Sequence, residues 1–149
     1  MVSSEVKAFR ENVRTWLLGI SGMSALAGTR IFSGFPVQVP DFPCITMAIN
    51  REPLTEYSAN GWRGQLHIDI HALGPDALDT VDNLICDAAS APGLPDTLSD
   101  ADEIQCMDFR LASVGEDDYA VSSEADRYFY TTRRLSFSYT IAARAVNQP

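Results

Sequence analysis

The stretch from Trp62 to Ala91 most constrains the fold, because it predicts one strand, one tight turn and one helix in direct succession. Between Leu66 and Leu73 apolar and polar residues alternate, which is the period of a strand with one buried face. Gly74 and Pro75 end that strand, and proline suits the first turn of a helix. Apolar residues then recur at helical spacing: Leu78, Val81, Leu84, Ile85 and Ala88. Together these patterns predict a sheet that helices cover on one side.

The remaining chain supplies a second helix and further strands around this unit. Apolar residues at helical spacing predict a helix from Ser3 or Ser4 to about Ile20. Alternating or apolar runs predict four more extended segments: Arg30–Phe32, Cys44–Asn50, Ile104–Val114 and Tyr128–Ala143. The predicted order is helix, short strand, strand, strand, helix, strand, strand. This order favours an α+β fold: a mostly antiparallel β-sheet with two helices packed on one face and long inter-strand loops.

Two polar stretches between consecutive strands are long for a compact domain. They run from Arg51 to Gly61 and from Gly115 to Asp126, and loops of this length are more often functional than decorative. We predict that Gly61–Gly64 is the passage from the first loop into the next strand. In the strand before the second loop, the alternation places three residues on the buried side: Met107, Phe109 and Leu111.

Length and composition predict one domain, residues 1–149, that buries roughly 70% of its unfolded surface. No apolar run approaches the roughly 20 residues of a membrane span, so we expect no membrane partner. The first 14 residues lack an apolar signal core, so we expect the protein to stay in the compartment where it is made. The three cysteines, Cys44, Cys86 and Cys106, are odd in number and widely spaced, which argues against a disulfide framework and a zinc site.

The net charge of −9 comes from one segment of the chain. Between Asp96 and Asp126 lie ten acids and a single base, Arg110, whereas the remainder holds ten acids and ten bases. Nucleic-acid binding needs clustered cations that displace phosphate counterions. The acidic balance therefore predicts a protein that does not bind nucleic acid specifically.

His67, Asp69 and His71 are the sharpest candidate site in the sequence. Alternate residues of a strand share one face, so these three side chains could converge on a divalent metal. The simpler interpretation is a polar, half-exposed or interface face, because no fourth ligand lies nearby in sequence. We favour the polar face and predict no metal site and no cofactor. A small metal-dependent enzyme that uses these residues stays open as the rival interpretation.

Other catalytic signatures are missing from the sequence. There is no G-x-S-x-G nucleophile elbow and no phosphate-binding G-x-x-x-x-G-K-[ST] loop, and Lys7 is the only lysine. Arginines near the acidic loop could bind an anion, but we expect them to pair with that loop or with the carboxylates of a partner: Arg127, Arg133 and Arg134. We therefore predict no catalytic residues.

The order and spacing of several short motifs resemble one known family. These motifs are Leu26–Phe32 before a proline-rich crossing, Phe42–Met47, which looks like the family's "FPYVT" strand, His67–Ala72 with the helix from Pro75, and Leu135–Thr140 as the closing strand. With the opening helix, they cover roughly Val6 to Ala143. The chain resembles the tail terminator, or tail completion, proteins of long-tailed bacteriophages and gene transfer agents.

This resemblance implies a structural virion protein and no enzyme. The family implies a hexameric ring that caps the head-proximal end of the tail tube, ends tube polymerisation and joins the tail to the head-side connector or adaptor protein. The expected location is the head–tail junction of the virion, after assembly in the cytoplasm of the host bacterium. DNA would pass through the lumen of the ring without specific binding. The expected partners are other copies of the chain, the tail tube protein and the connector.

Two sets of residues follow as hypotheses for the surfaces of such a ring. Long hairpins supply contacts between subunits and with the tube, which gives an interface set: Arg51, Glu52, Glu56, Tyr57, Trp62, Arg63, Glu116, Asp117, Asp118, Tyr119, Arg127 and Arg133. Acidic residues that repel DNA give a lumen set: Asp100, Asp102, Glu103, Glu116, Asp117 and Asp118. The simpler alternative is that these acids form an outer face that keeps the protein soluble.

Three rivals to the terminator role remain at this stage. The chain could be another neck or connector protein, or a tail-tube subunit, of the same kind of particle. It could be the metal-dependent enzyme described above. It could also be a cytoplasmic regulatory binding domain, which would form a small oligomer and gain stability from a ligand.

Overall fold

The computed structural model describes residues 4–34, 41–54, 61–121 and 129–144, and these ranges form four helices and seven strands. The helices are α1 Ser4–Gly19, α2 Met23–Leu26, α3 Pro75–Ala89 and α4 Leu94–Thr97. The strands are β1 Ile31–Phe32, β2 Cys44–Ile49, β3 Glu52–Pro53, β4 Gly61–Ala72, β5 Ile104–Val114, β6 Asp118–Val121 and β7 Phe129–Ala143. Among the described residues, no helix is long and apolar enough to cross a membrane.

The strands form one sheet with β4 and β7 at its centre. The strand order is β1-β2-β4-β7-β5, with β3 beside β4 and β6 beside β7. The pairing of β1 with β2 is parallel, and the other pairings are antiparallel. The longest ladder runs from Gly61 opposite Ala142 to Ala72 opposite Thr131. This topology confirms the predicted α+β class and its mostly antiparallel sheet.

The core lies between one face of this sheet and the two long helices. α1 buries Val6, Phe9, Val13 and Leu17, and α3 buries Leu78, Val81 and Ile85. The sheet contributes alternate residues of its central strands: Leu66, Ile68, Ile70, Leu135, Phe137, Tyr139 and Ile141. Because these residues form a single apolar cluster, both helices pack on the same face, as predicted.

Both predicted loops contain more strand than the sequence indicated. β4 begins at Gly61, so residues 61–64 belong to a strand, and Glu52–Pro53 pair with Arg63 and Trp62. Asp118–Val121 likewise form β6 beside β7. The reason is the length of the two central strands. β4 extends past the end of β2 and pairs there with β3, and β7 extends past the end of β5 and pairs there with β6. Residues 55–60 of the first predicted loop and residues 122–126 of the second lie outside the described residues.

The prediction for the buried side of β5 is wrong at two of three positions. Phe109 is buried, but Met107 and Leu111 have 43% and 40% of their surface exposed. The pairing of β5 with β7 shifts twice, between Cys106 and Asp108 and between Leu111 and Ser113. Met107 is the extra residue of the first shift, so the buried residues of this part of β5 are Cys106 and Phe109. Leu111 lies in the second half of β5, where every residue from 110 to 114 is exposed.

Asn50 forms the corner where β2 turns towards β4. Its side-chain Oδ1 accepts the backbone N–H of Gln65 at 2.8 Å, and its carbonyl accepts the Tyr139 hydroxyl at 2.7 Å. The corner passes directly over Gly64, where a Cβ atom would overlap the Asn50 carbonyl. A glycine at residue 64 therefore permits the close approach of the two backbones.

We expect Gly64→Ala to lower the free energy of unfolding by about 2 kcal/mol, because the new methyl group forces the Asn50 corner away from Tyr139. Urea denaturation measures the loss. The matched control is Gly19→Ala, since a Cβ atom there meets nothing within 4 Å and should cost no stability. Equal stability of the two variants would contradict this role of Gly64.

Candidate functional site

The predicted polar face of β4 is confirmed as the face turned away from the helices, and His71 is buried within it. Only 6% of the surface of His71 is exposed to solvent. Its Nε2 lies 2.8 Å from the Thr46 hydroxyl and its Nδ1 lies 2.7 Å from the Thr132 hydroxyl. A neutral imidazole can donate to one hydroxyl and accept from the other. The ring thus links β2, β4 and β7 across the sheet.

The neighbours of His71 on this face are also bonded to other side chains. Arg134 donates two hydrogen bonds to Asp69, at 2.8 and 3.0 Å, and His67 Nδ1 lies 2.9 Å from the Ser136 hydroxyl. The described residues contain no group of three potential ligands placed to hold a metal ion. In the part of the chain that the structure describes, His67, Asp69 and His71 are thus not placed together as a metal site. The structure pairs Arg134 with Asp69 of β4.

Burial lowers the pKa of His71 below its usual value, and the nearby Asp69 carboxylate opposes this only in part. In the unfolded chain a histidine titrates near pH 6.5. The unfolded state therefore binds a proton more readily, and stability present above about pH 6.5 is lost as the pH falls towards the folded pKa. The pKa of His67 is also lowered, first by burial and then by Arg134.

We expect the free energy of unfolding to fall between pH 7 and pH 5.5, and His71→Gln to remove most of that fall. Each proton taken up on unfolding contributes a slope of up to about 1.4 kcal/mol per pH unit. Urea denaturation at several pH values measures it. His67→Gln is the matched control, since the two are the only histidines and His67 is the less buried. A slope that His71→Gln leaves unchanged would contradict the prediction.

Arg133 is held within the subunit by three aspartates. It lies on the helix face of β7, with 14% of its side chain exposed. Its guanidinium contacts Asp79 at 2.8 Å and Asp82 at 2.9 Å on α3, and Asp117 at 2.7 and 2.9 Å after β5. The sequence predicted that Arg133 pairs with the acidic loop, and its contact with Asp117 agrees with this. The contacts with Asp79 and Asp82 were not predicted, although their i, i+3 spacing places both on one face of α3.

Four residues of the interface hypothesis cluster at the base of the β3–β4 hairpin. Arg63 Nε contacts Glu52 Oε1 at 2.9 Å, and the Arg51 guanidinium lies 5.3 Å from the centre of the Trp62 ring. The buried Nε1 of Trp62 has no acceptor among the described residues. Arg51, Glu52 and Arg63 are exposed, so this cluster offers a charged and aromatic surface. Glu56, Tyr57 and Arg127 of the same hypothesis lie outside the described residues, and of Tyr119 only the strand position in β6 is described.

The six acids of the lumen hypothesis fall at opposite ends of β5. Asp100 Oδ1 accepts the backbone N–H groups of Asp102, Glu103 and Ile104 before the strand. Burial raises the pKa of Asp100, but these hydrogen bonds outweigh it and hold the pKa below its usual value. Glu116, Asp117 and Asp118 follow the strand, roughly 33 Å away at the usual rise per residue. The structure therefore brings these acids together as two clusters.

An apolar groove that the sequence analysis missed lies between α1, α3 and α4. Its volume is about 700 Å³, and its lining includes Trp16, Ile20, Leu84 and Ala88. In the sequence these residues belong to the apolar stripes of two helices, which predicts that they are buried in the core. Only the packing of α1 beside α3 shows that the ends of both stripes reach the surface.

The described residues thus form one sheet with helices on one face, a charged hairpin base and an acidic sheet edge. No family model matches this chain, and no curated protein matches it. Solved structures do match. One is a chain of a structure described as "Virion of native gene transfer agent (GTA) particle", with a TM-score of 0.70 and 12% identity over 95% of this chain and 99% of that chain. The two chains share a fold along almost their whole lengths.

Proposed function

We propose that this chain is a structural, non-enzymatic protein of a phage-like particle. The observation that carries the proposal is the shared fold with a chain of a gene transfer agent virion, which covers 95% of this chain and 99% of that one. A match of this extent involves the complete fold of both chains, so it does not come from one common supersecondary unit. The proposed location is the virion.

Within such a particle, we assign the chain the role of tail terminator. As a single domain of residues 1–149, it forms a hexameric ring that caps the head-proximal end of the tail tube, ends polymerisation and joins the tail to the head-side connector. The support is that the motifs that resemble this family fall on ordered elements of the fold. Phe42–Met47 leads into and forms the first part of β2, His67–Ala72 lies in β4, and Leu135–Thr140 lies in β7. Identical subunits with heterologous contacts can close such a ring.

The two acidic clusters receive different roles in this proposal. Asp100, Asp102 and Glu103 line the lumen, where negative charge repels DNA and lets it pass without adhesion. Glu116, Asp117 and Asp118, which the sequence indicated for both roles, belong to the contact between subunits. The hairpin base with Arg51, Glu52, Trp62 and Arg63 contacts the tail tube protein.

Polymerisation of the purified tail tube protein, with and without this chain, tests the terminator role. We expect shorter tubes with a ring at one end when the chain is present. Arg63→Glu should weaken this capping about tenfold or more, because it reverses a charge at the hairpin base. The control Glu11→Lys changes an exposed charge on α1 and should cap normally.

Two results would count against this role. Tubes that grow to the same length in the presence of the chain would contradict it. Tubes that incorporate the chain along their whole length would instead support the rival interpretation of a tail-tube subunit.

A further inference from the structure

Strand β5 forms one edge of the sheet and exposes apolar side chains there. Among the described residues, the large hydrophobic side chains with the greatest exposure are Leu73, Met107, Leu111 and Val114, and three of these four belong to β5. On its outer side β5 has no partner strand in the described ranges. Natural edge strands are usually protected by charges or proline, because an open edge readily accepts another strand. The second half of β5, residues 110–114, carries a single charge, that of Arg110.

The opposite edge of the sheet, formed by β1, has a small charge of the opposite sign. Residues 104–118, which form β5 and the turn after it, hold four acids and one base, whereas residues 13–46 around β1 hold two bases and one acid. The two bases, Arg14 and Arg30, donate to the carbonyl oxygens of Ile31 and Pro43, so these contacts do not neutralise their charges. Two copies that met through their β5 edges would bring acids together. A β5 edge that meets a β1 edge brings acids to bases.

The geometry of the sheet also suits contact between these two edges. Through the successive pairings, β5 and β1 run antiparallel, so neighbouring copies in the same orientation bring antiparallel edges together. Val114 lies opposite Leu135, Leu135 opposite Ile68, and Ile68 opposite Met47. Phe32, the last residue of β1, lies opposite Thr46. The exposed end of β5 and the end of β1 therefore lie at about the same position along the direction of the strands.

We propose that the β5 edge of one copy packs against the β1 edge of a second copy and buries Met107, Leu111 and Val114. This contact is heterologous, so each copy keeps one free edge of each kind and further copies can be added until a ring closes. The inference rests on the proposed function, since it names the partner of the acidic edge as the next subunit.

The association of the purified full chain, followed by light scattering over a range of concentrations, tests the apolar part of the contact. Leu111→Arg and Val114→Arg should each weaken association about 30-fold or more, because each places a charge in a surface that becomes buried. Leu73→Arg is the matched control, since Leu73 is the most exposed of the four apolar residues and lies away from β5, at the end of β4. Circular dichroism confirms that each variant is folded.

Disulfide trapping between two populations tests the identity of the second edge. One population carries Val114→Cys and the other Ser33→Cys, an exposed position next to β1, both in a Cys86→Ser background. Cys44 and Cys106 are buried, and burial raises their pKa values to about 11 and 12, so they should not compete for oxidation. We expect a mixed dimer from this pair and none when Leu73→Cys replaces Val114→Cys.

The outcomes separate this inference from the proposed function. A wild-type chain that stays monomeric, variants that associate as the wild type does, or trapping only between two Val114→Cys chains would each overturn the edge contact. Capping of tail tubes by the same wild-type chain would then still support the terminator role. Loss of association in both β5 variants, together with the mixed dimer, supports the inference.

Discussion

Replacement of Phe9 by alanine is expected to lower the free energy of unfolding by about 3–5 kcal/mol, the usual cost of removing a buried aromatic ring. Phe9 is fully buried in the middle of α1. Its ring stacks on Tyr139 with 4.9 Å between the ring centres and meets Phe109 edge-on at 6.0 Å. These two rings belong to β7 and β5, so Phe9 holds the first helix to two strands of the sheet.

Urea denaturation of the purified chain measures this effect. Leu73→Ala is the control, because the Leu73 side chain is 57% exposed and its truncation should change stability by less than about 0.5 kcal/mol. A Phe9→Ala variant as stable as Leu73→Ala would mean that α1 does not pack on the sheet as described.

The second large effect is expected at Arg133, where Arg133→Met should lower the free energy of unfolding by about 2–4 kcal/mol. The substitution leaves Asp79, Asp82 and Asp117 close together without their shared cation. Asp82 has 17% of its side chain exposed, whereas Asp79 has 60%, so solvent relieves part of the repulsion. Hydrogen bonds from Arg133 lower the pKa of Asp117, so this stabilisation is present above about pH 4 and is lost as the pH falls through the folded pKa.

Two comparisons isolate this contribution in urea denaturation experiments. Arg110→Met is the matched control, since the Arg110 side chain is 75% exposed and its contact with Asp108 is 3.4 Å long. Addition of Asp82→Asn and Asp117→Asn to Arg133→Met should recover part of the loss, because two of the unpaired charges are then removed. If Arg133→Met and Arg110→Met were equally stable, the three aspartates would not depend on Arg133.

The parts of the fold that depend on local periodicity could be predicted from the sequence. The alternation of β4 and β7 and the apolar stripes of α1 and α3 are each contained in one continuous segment. Such patterns indicate which face is buried, and burial of that face is what stabilises the element. The α+β class and the helix-covered face followed from these four segments.

The features that the sequence did not reveal depend on contacts between distant segments. The first shift in the pairing of β5 moves Met107 to an exposed position, and nothing in the local alternation marks an extra residue. Leu111 lies in the half of β5 that stays exposed, which the local alternation does not indicate either. The short strands β3 and β6 exist because β4 and β7 offer them an edge.

The candidate site shows the same division between local pattern and distant contact. The alternation correctly predicted that His67, Asp69 and His71 share a face. The partners of these residues come from β2 and β7: Thr46, Thr132, Arg134 and Ser136. Only the pairing of three strands shows which hydroxyl and guanidinium groups bond to these side chains.

The most direct test of the terminator role is electron microscopy of particles assembled in cells from which the gene for this chain has been deleted. The account predicts tail tubes of irregular, extended length that are not joined to heads, and restoration of normal particles when the wild-type chain is supplied again. Tails of normal length joined to heads in the absence of this chain would contradict it.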